Sequence, residues 1–247
     1  MGNIESSKPV VQTIDLGEIT AEVVQKDIKN IHLSVYPPNG RVKIAAPLRM
    51  DLETIRIFAI SKLSWIKRQQ TKLRNQEREA PREYVSRESH YYLGKRYLLK
   101  VVERDSKPSV AIKHDKLILQ VKPATNLEQR QVLVQEWYRE QLKALVPNYI
   151  AKWEKIMGVE VVEFGIKKMR TKWGTCNTEA KRIWINLELG KKPLECLEYI
   201  VVHEMVHLLE RSHNARFMAY MTQFLPQWRS LKEELNRLPV SHLDWGY

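Results

Sequence analysis

Hydrophobic and polar residues alternate along much of the first 125 residues, and a period of two predicts strands. "IHLSVYPPNGRVKIAAP" alternates on both sides of Pro37-Pro38-Asn39-Gly40, which predicts a hairpin with a strong turn signal. "HYYLGKRYLLKVVE" and "SVAIKHDKLILQVK" predict two further hairpins, turning at Gly94-Lys95 and His114-Asp115. Between them the period changes. Leu52, Ile55, Phe58 (or Ala59), Leu63 and Ile66 recur at helical spacing, which predicts a helix from about Leu52 to Leu73 with Asp51 as its N-cap.

After Pro123 the pattern is mostly helical. The stretch from about 127 to 157 predicts a long helix with a break or kink near Pro147. Short strands are expected near "GVEVVEFGIKKM" and "RIWINLEL". Pro193 then opens a helix that the apolar pattern carries to about Glu210. Asn214 caps a second helix from about Ala215 to Phe224, and a third runs from about Trp228 to Arg237. The fold class read from these elements is α+β. A β-rich N-terminal domain with one long helix is expected over 1–124, and an α+β domain over 125–247. No internal repeat is visible in the sequence.

Composition changes this picture little. With 247 residues, 43% hydrophobic and 28% charged, the chain has the make-up of a soluble globular protein of one or two domains. The net charge of +12 favours acidic partners: nucleic acid, nucleotides or an anionic protein surface. Two cysteines, Cys176 and Cys196, exclude a disulfide framework. No run approaches the roughly 18–20 apolar residues of a membrane span, and "MGNIESSKPVV" lacks the apolar core of a secretory signal. A cytoplasmic setting without membrane contact is the expectation.

The chemistry concentrates in "YIVVHEMVHLLERSHNARF". Three of the seven histidines fall within eleven residues there, and His203 and His207 flank Glu204. Residues four apart on a helix lie one above the other, with Cβ atoms roughly 5–6 Å apart, so two imidazoles can chelate one ion. Glu204, one step round, reaches beside the ion as the carboxylate that takes a proton from metal-bound water. Zinc brings the pKa of such a water towards about 7. A third ligand is needed, and His213 lies six residues on, past the expected helix end. Glu233 and Glu234 are the fallback candidates. Three protein ligands and one open position make a catalytic site. A plain core helix is the competing reading, but burying His203, Glu204 and His207 among aliphatics without partners costs several kcal/mol. The spacing matches that of metzincins, yet Glu210 stands where their turn carries glycine.

From Gly165 to Lys192 there are eight lysines and arginines against two acids, Glu179 and Glu188. If "RIWINLEL" is a strand beside the metal helix, this segment rims the cleft and draws in an acidic peptide, a nucleic acid or a phosphate. Arg170 is a candidate to stabilise the oxyanion formed when a carbonyl is attacked, and Tyr199 and Tyr220 are alternatives. Cys196 shares the helix face of His203 but reads as core filler.

The blocks "RTKWGTC", "INLEL" and "YIVVHEMVHLLERSHNARFMAYMTQFLPQW", with "HLSVYPPNGRVKIAAP", "LSWIKRQQ" and "YYLGKRYLLKV" before them, resemble the YgjP-like metal-dependent hydrolase family. That family is related to the SprT-type and WLM-type zinc proteases. The resemblance spans nearly the whole chain. It implies a minimal zincin-like catalytic domain, zinc on His203, His207 and His213, and Glu204 as the catalytic residue. The family's R-x-x-W-G-S-C block falls on Arg170, Trp173, Gly174 and Cys176, with Thr175 in place of serine. Met205 and Val206 stand where leucine and alanine are usual, a change that bears on packing.

Three functions are compatible with these residues. The first is a zinc metallopeptidase with Glu204 as general base, acting on an acidic or unstructured protein or peptide. The second keeps the metal but hydrolyses a nucleotide or other phosphate ester, as a nucleoside triphosphate pyrophosphatase does; no Walker-type glycine loop accompanies it. The third is a basic nucleic-acid-binding protein with a vestigial zinc site.

Overall fold

The computed structural model describes residues 11–36, 40–75, 81–169 and 172–239. By contacts the chain forms two compact units, Met1–Gln76 and Glu77–Tyr247. In the first, β1 (Val11–Asp15), β2 (Thr20–Lys26), β3 (His32–Tyr36) and β4 (Arg41–Pro47) form a sheet in the order β1-β2-β4-β3. The central pair is parallel and the flanking pairs are antiparallel. The β3–β4 hairpin expected from the alternation is present, while Pro37, Pro38 and Asn39 of its turn lie outside the described residues. Two helices follow, α1 (Leu52–Ser61) and α2 (Leu63–Asn75), so the expected single helix is interrupted at Lys62. Asp51 caps α1 by accepting the Thr54 N–H. Ala21, Val23, Val42, Ile44 and Ala46 bury one sheet face with Ile55, Ala59 and Ile66 of the helices.

The second unit begins with a sheet of the same order, β5-β6-β8-β7, again with a parallel centre between two hairpins. Its strands are β5 (Ser89–Tyr92), β6 (Lys95–Glu103), β7 (Ser109–Lys113) and β8 (Lys116–Val121). The first hairpin turns at Leu93-Gly94, one residue earlier than expected. Both residues have positive φ, 47° and 78°, as a two-residue turn matched to strand twist requires. The second turns at His114-Asp115 as expected.

α3 (Leu127–Met157) starts with a capping box between Asn126 and Gln129 and ends at Gly158 with φ 67°. It passes through Pro147 as one element, so of the expected break or kink the break is absent. Pro147 is exposed, so water can serve the carbonyl that loses its donor. The helix buries a stripe at three- and four-residue spacing: Val134, Tyr138, Leu142, Val146, Ile150, Trp153 and Met157. Sheet β5–β8 contributes Leu99, Leu117, Leu119 and Val121 to the same core. That shared core explains why the compact units part after Gln76, whereas the hydrophobic pattern placed a division near residue 124.

A three-stranded sheet follows, β10-β11-β9, made of β9 (Glu163–Lys167), β10 (Gly174–Asn177) and β11 (Arg182–Asn186). β9 pairs parallel with β11, and β10 pairs antiparallel on its other side. After a 3-10 turn at Leu187–Lys191 come α4 (Leu194–Val206), α5 (Ala215–Phe224) and α6 (Trp228–Arg237), with α4 packed against β10 and β11. The α+β class expected from the sequence is observed. Among the described residues no helix is long and apolar enough to cross a membrane. Both cysteines are free thiols.

Candidate metal centre

α4 stops at Val206, four residues short of the expected end, and His207 is its C-cap. The chain then turns: Leu209 N–H donates to Val206 O at 2.9 Å, Glu210 N–H to the same carbonyl at 3.0 Å, and Asn214 N–H to Ser212 O at 2.7 Å. None of residues 207–214 has positive φ, so this turn closes without glycine. Asn214 then caps α5 by accepting the Phe217 N–H at 3.0 Å. The cap follows His213 directly and fixes where that side chain emerges.

The result is convergence. One ligand nitrogen from each of His203, His207 and His213 lies within 4.8 Å of the other two, the group among the described residues that can hold a metal. His203 Nε2 and His213 Nε2 are 3.0 Å apart. Two nitrogens each about 2.0–2.1 Å from a tetrahedral ion stand roughly 3.3 Å apart, so the spacing fits one cation. His207 Nδ1 is 3.1 Å from the Glu210 carbonyl oxygen. A bond there fixes the tautomer and leaves Nε2 free to ligate. Burial and the neighbouring imidazoles bring His203 down to about 3, and burial lowers His207 and His213 as well. All three are therefore held neutral at neutral pH, the form in which an imidazole can ligate a metal. Glu233 and Glu234 do not join the cluster.

Glu204 is buried beside the triad, and burial pushes its carboxyl up to about 8 against the opposing pull of Lys172. A cation on the imidazoles acts in the other direction and favours the ionised base. Gly174 gives this carboxyl its place. A Cβ at residue 174 would stand 2.6 Å from Glu204 Oε1 and 2.7 Å from its Cγ, so only glycine lets β10 run this close. Two more residues that sequence reasoning missed complete the support. Phe217, 1% exposed, puts its ring centroid 5.0, 4.8 and 4.6 Å from those of His203, His207 and His213. Asn186 donates to the carbonyls of Met169 and Lys172 and accepts from the N–H of Met169 and of Glu188. It thereby holds the chain that leads into Gly174. Phe217 carried a weak signal, an aromatic just inside a capped helix after His213; Asn186 carried none beyond its place in "INLEL".

An open cleft of about 750 Å³ faces the triad. β10 lines it from Gly174 to Asn177, and Tyr199, His203, Glu204, His207 and His213 form its other wall. Tyr199 lines the cleft; Tyr220 is not among the lining residues and stacks on Phe224 instead. Arg170 lies outside the described residues. Cys196 is fully buried core, as expected, whereas Cys176 lines the cleft, its thiol pushed up to about 11 by burial and by Glu204. Of the basic segment 165–192, the described residue that reaches the cleft is Lys172. Lys181 and Arg182 pair with Glu160 and Glu163, and Lys191 with Glu188. The positive rim comes largely from elsewhere, from Arg211 and Lys232.

Three imidazoles that can hold a metal, with a buried carboxylate beside them, are the arrangement that a metal-dependent hydrolase requires. The sequence matches the YgjP-like metallopeptidase domain over residues 29–238, and the chain belongs to that family. Its class is metallopeptidase, and the family implies a divalent metal. No curated protein matches the chain. Among solved structures, the metallopeptidase zymogen abylysin of Pyrococcus abyssi is 16% identical, over 36% of this chain and 90% of its own, with a TM-score of 0.34. The zymogen jannalysin of Methanocaldococcus jannaschii is 18% identical, over 36% and 92%, with a TM-score of 0.33.

Proposed function

We propose that the chain is a zinc peptidase in which Glu204 is the general base. The observation that carries this is the convergence of three neutral imidazole nitrogens next to one buried carboxylate. Zinc suits an all-imidazole set of three, and when bound it supplies Lewis acidity to a water and to the carbonyl under attack. His203, His207 and His213 would hold it.

Glu204 takes the proton of the attacking water and gives it to the departing amine, a role its burial beside the triad supports. β10 is an edge strand that runs along the cleft, and an open edge pairs with an extended chain through backbone hydrogen bonds. Such an edge suits a peptide better than a phosphate ester. Arg170 remains the candidate to stabilise the oxyanion, and Tyr199, which lines the cleft, is the alternative.

Metal analysis and one substitution test the reading. The purified protein should carry about one zinc per chain, lose peptide hydrolysis to a chelator and regain it with zinc. Glu204→Gln should keep the zinc and lower kcat about a thousandfold. A chain without zinc rejects the site, and activity that survives Glu204→Gln rejects the assigned base.

A further inference from the structure

Three cations stand at the mouth of the cleft, each on a different element: Lys172 before β10, Arg211 on the turn after α4 and Lys232 on α6. All three are exposed. Elsewhere in this unit basic side chains find carboxylates, as Arg130 does in Glu103, Lys152 in Glu198 and Lys181 in Glu160. Among the described residues none of the three cleft cations has an ion-pair partner, and Lys232 lies over the Trp228 ring instead. The opposing charge on the lining is Glu179, apart from the buried Glu204. Lys232 is close enough to act on His203 and His213, and Lys172 on Glu204. Their charge therefore falls on the reacting centre, where a divalent metal adds to it.

We propose that this cleft selects extended peptides with acidic side chains next to the bond that is cut. The inference rests on the peptidase reading above and adds the substrate class. A peptide laid along β10 presents alternate side chains to one side of the strand, within reach of cations placed before, beside and across from it. Carboxylates there neutralise charge that no ion pair among the described residues offsets. Such rim charges contribute chiefly to selectivity and capture rate, and salt weakens them. A nucleic acid would meet the same cations, but it has no use for the strand edge.

Binding to the zinc-loaded full chain carrying Glu204→Gln reads this without turnover. Two fluorescein-labelled extended peptides are compared by anisotropy, one with aspartates and one with asparagines at the same positions. The acidic peptide should bind about tenfold more tightly at low salt, and the gap should narrow as ionic strength approaches about 0.3 M. The double variant Lys172→Ala/Lys232→Ala should bring the gap below about threefold with zinc content unchanged, and Lys172→Glu/Lys232→Glu should favour a lysine peptide. Equal binding of the acidic and amide peptides overturns the proposal. An oligonucleotide of equal charge that outcompetes the acidic peptide also overturns it, reassigning the cations to nucleic acid. Cleavage of a mixed peptide library by the wild-type zinc enzyme separates the two levels. Cutting without acid preference removes this proposal alone, whereas no cutting and no peptide binding removes the peptidase reading with it.

Discussion

The two four-stranded sheets follow one plan. In each, a parallel pair sits between two hairpins, and a helix begins a few residues after the last strand with a side-chain cap followed by Leu-Glu, at Asp51-Leu52-Glu53 and Asn126-Leu127-Glu128. Their surroundings differ in what they bury. Every buried polar or charged side chain among the described residues belongs to the second unit: His90, Asn186, Glu188, Lys192 and Glu204. The first unit closes an apolar core and stops. The second extends the same plan with a small sheet and three helices, and its buried polar side chains lie in that extension apart from His90 on β5. Among the described residues buried polarity is confined to the unit that carries the candidate site, and Glu204 is its member beside the imidazoles.

Four comparisons can break or sharpen that division. The largest effect is expected from Phe217→Ala, about 3–5 kcal/mol of unfolding free energy, set against Ile44→Ala in the first core at about 2–5 kcal/mol. Phe217→Ala should also weaken metal binding roughly tenfold or more, and Ile44→Ala should leave it unchanged in a chelator competition. A loosened metal in Ile44→Ala would end the division. Next comes Gly174→Ala, which forces the Glu204 carboxyl aside: kcat should fall about a hundredfold at full metal content, since a displacement of an ångström is enough for that. Normal turnover would mean the carboxyl has room to spare. Asn186→Ala removes four hydrogen bonds in a buried setting and should cost about 1–3 kcal/mol in denaturant unfolding, with no counterpart in the first unit. The smallest effect is shared: Asp51→Ala and Asn126→Ala should each cost about 1 kcal/mol and leave turnover alone. Unequal costs would show that the matched caps are not equivalent.

Much of this was legible in the sequence because it is local. His203, Glu204 and His207 follow from helical spacing, His213 from its short separation, and Asn214 from the cap preceding Ala215. The helix end was misplaced because Leu208 and Leu209 continue the apolar pattern, while the chain must leave the helix axis for His213 to come back. Asn186, and the reason that residue 174 of the family block is glycine, stayed hidden for a different reason. Asn186 holds carbonyls 14 and 17 residues away, and Gly174 is required by a carboxyl 30 residues further on. No periodicity encodes such pairs. The repeated strand order was equally invisible, because it depends on the non-sequential pairings of β2 with β4 and β6 with β8, and alternation along a strand does not name its partner.

Phe217 carries one more consequence. Because a single phenyl ring touches all three imidazoles, the ligands are not independent parts. Exchanging any one histidine for a carboxylate, the usual route to a different metal preference, would open a gap against the ring and tilt the remaining pair. Retuning this centre is thus a problem of at least two simultaneous changes, one on the ligand and one on the aromatic beneath it.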